Sequence, residues 1–407
     1  MYRLYILLFL FCFKTFASPD LLDEIVLNNS RARSFGELRK SYEVQGGHLQ
    51  RSFLPELKFE LGYEKFKLFN YSVREEPYGK LELIFNLYDG GKDSLANLTT
   101  DKLIEISQLN QNVIVKEELR RIHQILNDSK YLFGKLDAIV LALKESRLLL
   151  IEARRRHQSG LVTTTDILDF EVYIGELEEN EDEILHDLEN NRLQLIPLVG
   201  LNITDIDFKE RVRSLDYSVF NAVPFFSGHE KLSSLKMESE LAGIELQRQK
   251  SWWKPRIDVY GGYYMFTMRD REYRKLNDRD DQAIGVRLSM DLFNGLKGSI
   301  ASSAASYQEQ GARLKAQYLE KEFERDFSTS RLAIEHANKI IPKLRKRISL
   351  FKKYYKAVIA DYDKGVKNSM DALSALKNSF DLNVRLINEE KKRDDAFAEL
   401  IYLSVKK

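Results

Sequence analysis

The chain repeats itself, and the repeat constrains its fold more than any other feature of the sequence. Leu87, Gly90, Lys92 and Ser94 return as Leu292, Gly295, Lys297 and Ser299, each 205 residues on. Gly160, Asp166 and Leu168 return as Gly365, Asp371 and Leu373 at the same displacement, and Leu195-Ile196 as Leu400-Ile401. Upstream, Pro55, Gly62 and Tyr63 return as Pro255, Gly262 and Tyr263 after 200 residues. Landmarks kept in one order at nearly one displacement mean two tandem structural repeats. The slip between 200 and 205 falls where a hairpin loop would absorb it. The expected organisation is a first repeat over 18–200, a linker over 201–226 and a second repeat over 227–407.

Residues 1–17 read as a secretory signal peptide. Arg3 precedes an apolar run from Leu4 to Phe13, and Thr15-Phe16-Ala17 forms a small-x-small cleavage pattern. The single cysteine, Cys12, lies inside that segment, so the mature chain is expected to carry no disulfide, thiolate metal site or cysteine nucleophile. A formal net charge of +1 gives no reason to expect nucleic acid as a partner. The six histidines show no metal-ligand spacing, and Gly90-Gly91-Lys92 lacks the spacing and the Ser/Thr of a phosphate-binding loop. Nothing in the sequence reads as an enzyme, and no cofactor is expected.

Each repeat holds two runs of strict alternation. Leu57, Phe59, Leu61 and Tyr63 alternate with charged residues, as do Leu81, Leu83, Phe85 and Leu87 with polar ones. In the second half, Ile257, Val259, Tyr263 and Met265 form one such face, and Ile284, Val286, Leu288, Met290 and Leu292 another. Period-two alternation predicts strands, over about 54–69, 78–88, 254–268 and 282–293. Counting Gly261, the apolar faces hold eighteen positions without one charge, although 31% of the chain is charged. A soluble sheet packed on a core would alternate in the same way. Lipid accounts for the rest of the pattern, because Phe53, Tyr88, Trp252, Trp253 and Phe293 cluster where strands meet helices, as in an interfacial girdle. Four strands cannot close a barrel and open edges are not viable in lipid, so several chains would have to share one.

After each strand pair comes a very long helix. No proline falls between Ser94 and Ser159, and the apolar residues keep helical spacing. Gly160 and Gly365 punctuate the two helices, and a second helix returns from each turn. Pro342 is expected to bend or break its helix, and Gly134 lies near the equivalent point of the first half.

These joins, turns and repeats together resemble the TolC-like outer-membrane efflux proteins, over nearly the whole mature chain from about Leu21 to Val405. The residues that carry the resemblance are Phe53-Leu54-Pro55, Leu87 through Gly91, Gly160-Leu161 through Asp166-Ile167-Leu168, and their second-half counterparts. The resemblance implies an α+β membrane protein in the outer membrane of a Gram-negative bacterium. In that family three identical chains give four strands each to one β-barrel, which continues into a long α-helical barrel in the periplasm. Gly90, Gly91 and Gly295 would then be barrel-to-tube joins. The implied function is a passive exit duct for a tripartite efflux pump or a type I secretion system. Its implied partners are the lipid bilayer, a periplasmic adaptor protein, and an inner-membrane pump or ABC transporter.

The resemblance also assigns roles to the hairpin turns. Gly160, Leu161, Val162 and Thr163, with Gly365, Val366, Lys367 and Asn368, would be the tips that dock the adaptor. Asp371 matches the first of a characteristic pair of entrance aspartates, and Ser374 stands where the second is often found. Thr163-x-x-Asp166 and Asn368-x-x-Asp371 also read directly as capping boxes, which makes both aspartates candidate helix caps. Two departures stand out: no C-terminal extension follows the last helix, and the inter-repeat linker is short. A periplasmic adaptor or a soluble coiled-coil scaffold is the alternative reading. Tandem repeats with strands before helices disfavour the former, and charge-free strand faces behind a signal peptide disfavour the latter.

Overall fold

A computed structural model of the chain describes residues 28–47, 51, 54–66, 74–213, 228–266 and 281–403. The expected signal peptide, Phe53, residues 214–226 of the linker, and most of both strand-to-strand loops lie outside the described residues. The chain divides into two units. One, the strand unit, comprises residues 35–110 and 233–318; the other, the helical unit, comprises residues up to 34, 111–232 and 319 onward.

The strand unit is organised on a four-stranded antiparallel sheet in the order β1-β2-β3-β4. β1 spans Glu56–Phe66, β2 Arg74–Tyr88, β3 Arg256–Phe266 and β4 Asp281–Ser289. β1 and β3 are both 11 residues long and start 200 residues apart, which is the displacement seen between Pro55 and Pro255. The register places Leu57, Leu83, Gly261 and Ile284 in one cross-strand row, and Lys58, Glu82, Gly262 and Ala283 in the next. Rows therefore alternate in character as the sequence does, because successive side chains of a strand point to opposite faces. β4 ends four residues before the expected limit at 293. The reason is local: Asn294 Oδ1 accepts the Gly298 amide at 3.2 Å, which commits this stretch to starting the next helix.

Seven helices are described. α1 spans Ser30–Gln45, α2 Lys92–Gln158, α3 Thr164–Val199, α4 Asp205–Arg213, α5 Glu230–Lys250, α6 Lys297–Asp363 and α7 Ser369–Leu403. α2 and α6 are each 67 residues long and begin and end 205 residues apart, so the register of one on the other is fixed along their whole length. At about 1.5 Å per residue each extends roughly 100 Å. α4 lies within the stretch expected to be a plain linker, where Phe208 and Val212 are buried and Thr204 caps the helix through Asp207.

At Pro342, expected to bend or break its helix, α6 continues without a break. A proline inside a helix removes one backbone hydrogen bond and crowds the preceding turn. Buried Ile334, Ala337, Ile341 and Leu344 flank it on one stripe, and packing of that stripe holds the helix through the defect. Gly134 likewise lies in unbroken helix, facing Ile387 of α7. Within the helical unit the core is a set of such stripes, spaced by three and four residues. On α3 these are Phe170, Tyr173, Leu177, Ile184, Leu188, Asn191, Leu195 and Val199.

Candidate functional site

The sheet is inside out relative to a soluble one. Leu57, Phe59, Leu61 and Tyr63 of β1 are between 60% and 71% exposed, and Ile284, Val286 and Leu288 of β4 between 63% and 87%. On the opposite face two acids of the central strands are buried, Glu82 at 7% exposed and Asp258 at only 3%, whereas Glu56 and Glu60 of β1 are exposed. Lys80 Nζ lies 2.7 Å from Glu82 Oε2, and Arg256 Nε donates to Asp258 Oδ1 at 2.8 Å. Arg287 bridges the two acids at 3.9 Å each and stacks over the Tyr260 ring. Buried carboxylates are tolerated where charged donors meet them, as here. An exposed apolar face of this kind marks a surface that meets lipid or another protein.

The chain leaves the sheet for a helix twice, by related geometry. In the first join, Asp89 Oδ2 accepts the Asp93 amide at 2.6 Å, and Gly90 and Gly91 take φ of +80° and +81°. A Cβ on Gly90 would come within 2.8 Å of Lys254 Cβ, so this position admits only glycine. In the second join, Asn294 takes the part of Asp89, and Gly295 has φ +66°. Leu296, which replaces Gly91, is still left-handed at φ +63°, a conformation that costs a side-chain-bearing residue about 1–2 kcal/mol. Tyr88, Trp253 and Phe293 are exposed around these joins.

At the first hairpin turn, Gly160 has φ +72°, its amide donates to His157 O, and the Leu161 amide reaches back to Arg156 O at 3.0 Å. The second repeats the arrangement: Gly365 has φ +75°, and the Val366 amide donates to Asp361 O at 2.9 Å. Leu161 and Val366 are 76% and 73% exposed, an unusual position for apolar residues at a loop tip. Val162 O bonds His157 Nδ1 at 2.8 Å. Thr163 Oγ1 accepts the Asp166 amide, and Asp166 Oδ2 accepts the Thr163 amide at 2.9 Å, completing a reciprocal cap. In the second turn, Asn368 Oδ1 accepts the Asp371 amide at 2.8 Å, and Asp371 Oδ2 accepts the Asn368 amide at 3.4 Å. Lys367 Nζ stands 3.6 Å from Asp371, and Ser374 is exposed one turn further along α7. Behind the tips, Arg156 stacks over the buried Tyr362 ring at 4.2 Å. Hydrogen bonds from Arg155 and Arg156 hold the Glu152 carboxyl down to about 2.

Sequence spacing does not reveal a polar cluster that ties α2, α3 and α7 together. Asp394 of α7 is 2% exposed and accepts from the Tyr131 hydroxyl, from Lys130 at 3.3 Å and from Arg393 at 2.8 Å. Asp128 pairs with Lys391 and accepts from Asn191 Nδ2 at 2.9 Å. Burial opposes the charge on Asp128, yet the Lys391 and Asn191 bonds prevail and lower its pKa. Asp395 is shifted the other way, because burial dominates there. The signal available in the sequence is an acid at a core position: Asp394 shares the three-four stripe of Ile387 and Ala398. Nearby, His229 caps α5 by accepting the Lys231 amide at its Nδ1, and its ring meets the edges of Phe323 and Tyr402. Burial pushes both His123 and His229 down to about 4.

Among the described residues, no group of acids, histidines and cysteines could hold a metal ion, and no helix is long and apolar enough to cross a membrane. No protein-family model and no curated protein matches the chain in sequence. Solved structures match it in fold. The outer-membrane channel OprN aligns over 94% of this chain and 88% of its own at 9% identity, with a TM-score of 0.79. The outer membrane protein VceC of Vibrio cholerae aligns over 94% and 95% at 13% identity, with a TM-score of 0.75. The CmeC outer membrane channel of Campylobacter jejuni aligns over 94% and 84% at 14% identity, with a TM-score of 0.74. At such identities the likeness is one of architecture, and the architecture is that of the TolC-like outer-membrane channels.

Proposed function

We propose that this chain is the outer-membrane exit duct of an efflux or secretion machine. The observation that supports this most is the sheet, whose apolar face is exposed along β1 and β4 while Glu82 and Asp258 are buried among basic side chains on the other face. A β-barrel in lipid needs an apolar outer band and admits polar residues to its lumen. β1 and β4 are open edges, and a sheet with open edges cannot remain in a bilayer. Three copies in a closed ring would supply the missing pairings, in line with the fold of the matched channels. The long helices would line the periplasmic part of the duct, and passage would be passive.

On this reading the hairpin tips are where a periplasmic adaptor docks. Exposed Leu161 and Val366, held on rigid glycine turns, are its anchors. Leu161→Glu should abolish drug export in cells while leaving the assembly intact; unchanged drug susceptibility would remove the tips from that role. Asp371, besides capping α7, would sit in a ring of three carboxylates at the periplasmic entrance, with Ser374 weakening the ring relative to one carrying two acids.

The test is purification in detergent. Sedimentation should give a trimer that dissociates on heating and collapses when detergent is withdrawn. A monodisperse, detergent-free monomer would overturn the membrane reading and leave a periplasmic scaffold.

A further inference from the structure

Two segments of the helical unit carry opposite charge and no balancing charge of their own. Residues 176–189 of α3 hold eight acids and no lysine or arginine; residues 339–356 of α6 hold eight bases and no acid. They lie at matching depth from the hairpin turns. The acids begin 12 residues and end 25 residues past the start of α3 at Thr164; the bases begin 24 residues and end 7 residues before the end of α6 at Asp363. The Arg156–Tyr362 stack shows that the two turns are level. Some of these charges are paired within the chain, Glu176 with Lys377, Glu178 with Arg147, and Arg345 with Glu390. Glu179, Asp182, Lys339 and Lys343 stand exposed.

The duplication says what should cover them. Within the chain, the first hairpin meets the second through α2 and α7. Tyr131 donates to Asp394, and a Cβ on Gly134 would sit 3.7 Å from Ile387. α2 corresponds to α6 and α3 to α7 at a displacement of 205. The same seam made once more would therefore join α6 of one chain to α3 of the next. In this second seam Tyr131–Asp394 becomes His336–Glu189, and Gly134–Ile387 becomes Lys339–Asp182. One helical turn further on each stripe, Lys343 meets Glu179. At the other end, exposed Leu332 meets exposed Leu193. At the Gly134–Ile387 level and one turn beyond it, where the internal seam has small or apolar residues, the outer one has a base opposite an acid.

We infer that the α6 stripe Leu332, His336, Lys339 and Lys343 docks head to tail on the α3 stripe Leu193, Glu189, Asp182 and Glu179 of a second copy. This rests on the trimeric-duct reading and adds to it the seam that closes the ring. A heterologous contact of this kind closes only if its rotation does, and the internal seam already carries half of that rotation. Opposite charges at flanking positions of packed helices fix partner and direction. The seam has unfavourable neighbours. Glu335, the counterpart of Lys130, faces the Glu189 level, but Arg331 holds it at 3.0 Å and Arg192 holds Glu189 at 2.5 Å. A free chain buries none of this, whereas a ring of three contains three such seams.

The test uses two full-length chains with different tags, one carrying Asp182→Cys and the other Lys339→Cys, co-expressed and extracted in detergent. Residues 18–407 contain no natural cysteine, so a short bis-maleimide reports only the engineered pair. Covalent dimers containing both tags should form, and neither variant alone should give them. Asp182→Lys with an intact Lys339 should lower the trimer yield several-fold at low salt, and adding Lys339→Asp should restore it. If sedimentation shows trimers but the mixed pair does not link, and charge reversal leaves the yield unchanged, the seam lies elsewhere and these stripes face another protein. If no trimer forms with the unmodified chain, the duct reading itself has failed, and this inference with it.

Discussion

Ile284 is the most exposed of the sheet's large apolar side chains, at 87%, and sits in the row with Leu57, Leu83 and Gly261. β1 and β3 have 11 residues each, so at about 3.3 Å per residue they extend about 36 Å. Tilted by about 40°, such strands cover about 28 Å, enough for an outer-membrane apolar band of about 25 Å, and this row falls within it. Ile284→Arg should therefore cost about 2–4 kcal/mol, a lipid-facing charge near the bilayer midplane. Ala283, one residue away, lies in the row of Lys58 and Glu82 on the other face. Ala283→Arg places the same charge beside the buried Glu82 carboxylate and should cost less than about 1 kcal/mol. Urea titration of the protein folded into lipid vesicles measures both. On a soluble sheet the ordering would vanish, because exposed substitutions change stability by within about 0.5 kcal/mol. Equal stabilities for the two variants would refute the assignment of faces to lipid and lumen.

Three further outcomes follow from particular residues. His229 is neutral when folded because burial holds it near 4, below the ordinary value of 6.5. The unfolded chain takes up that proton first, so stability falls as pH drops from about 6.5 to 4; His229→Asn, which keeps the cap, should remove about 1.4 kcal/mol per pH unit from that slope, read from thermal unfolding between pH 7 and 4.5. An unchanged slope would mean that the site is not dry. Leu296→Gly should raise stability by about 1 kcal/mol, by relieving a left-handed leucine that is 62% exposed; a loss of stability would show that the side chain is packed in the assembly. Asp371→Asn should reduce cation preference and weaken block by multivalent cations in planar bilayers, while Asp166→Asn should not. Identical behaviour of the two would leave both as helix caps alone.

The strands were legible because burial on one face imposes period two, and the turns because only a glycine and a cap fit there. The apolar face was legible as eighteen positions without charge, although the sequence could not say that Glu82 and Asp258 opposite it would be buried. Asp394, Asp128 and Lys391 escaped notice for a physical reason. Their partners lie about 260 residues away, and local spacing carries no record of such pairs. Of the bend or break expected at Pro342, the break does not occur, because packing along a 67-residue helix outweighs one missing hydrogen bond. α4 was missed in the linker because its apolar residues, Ile206, Phe208 and Val212, are too few to show a period. The strained Leu296 could have been read from the repeat itself, since it stands where the first half has Gly91.

The central claim is that copies of this chain enclose a continuous aqueous path. Single-channel recording in planar bilayers tests it most directly. Purified trimers added to one side should insert in steps of uniform conductance, with ion selectivity that changes in Asp371→Asn. Intact, correctly sized trimers that bind the bilayer yet pass no current, even with Asp371 replaced, would contradict the account.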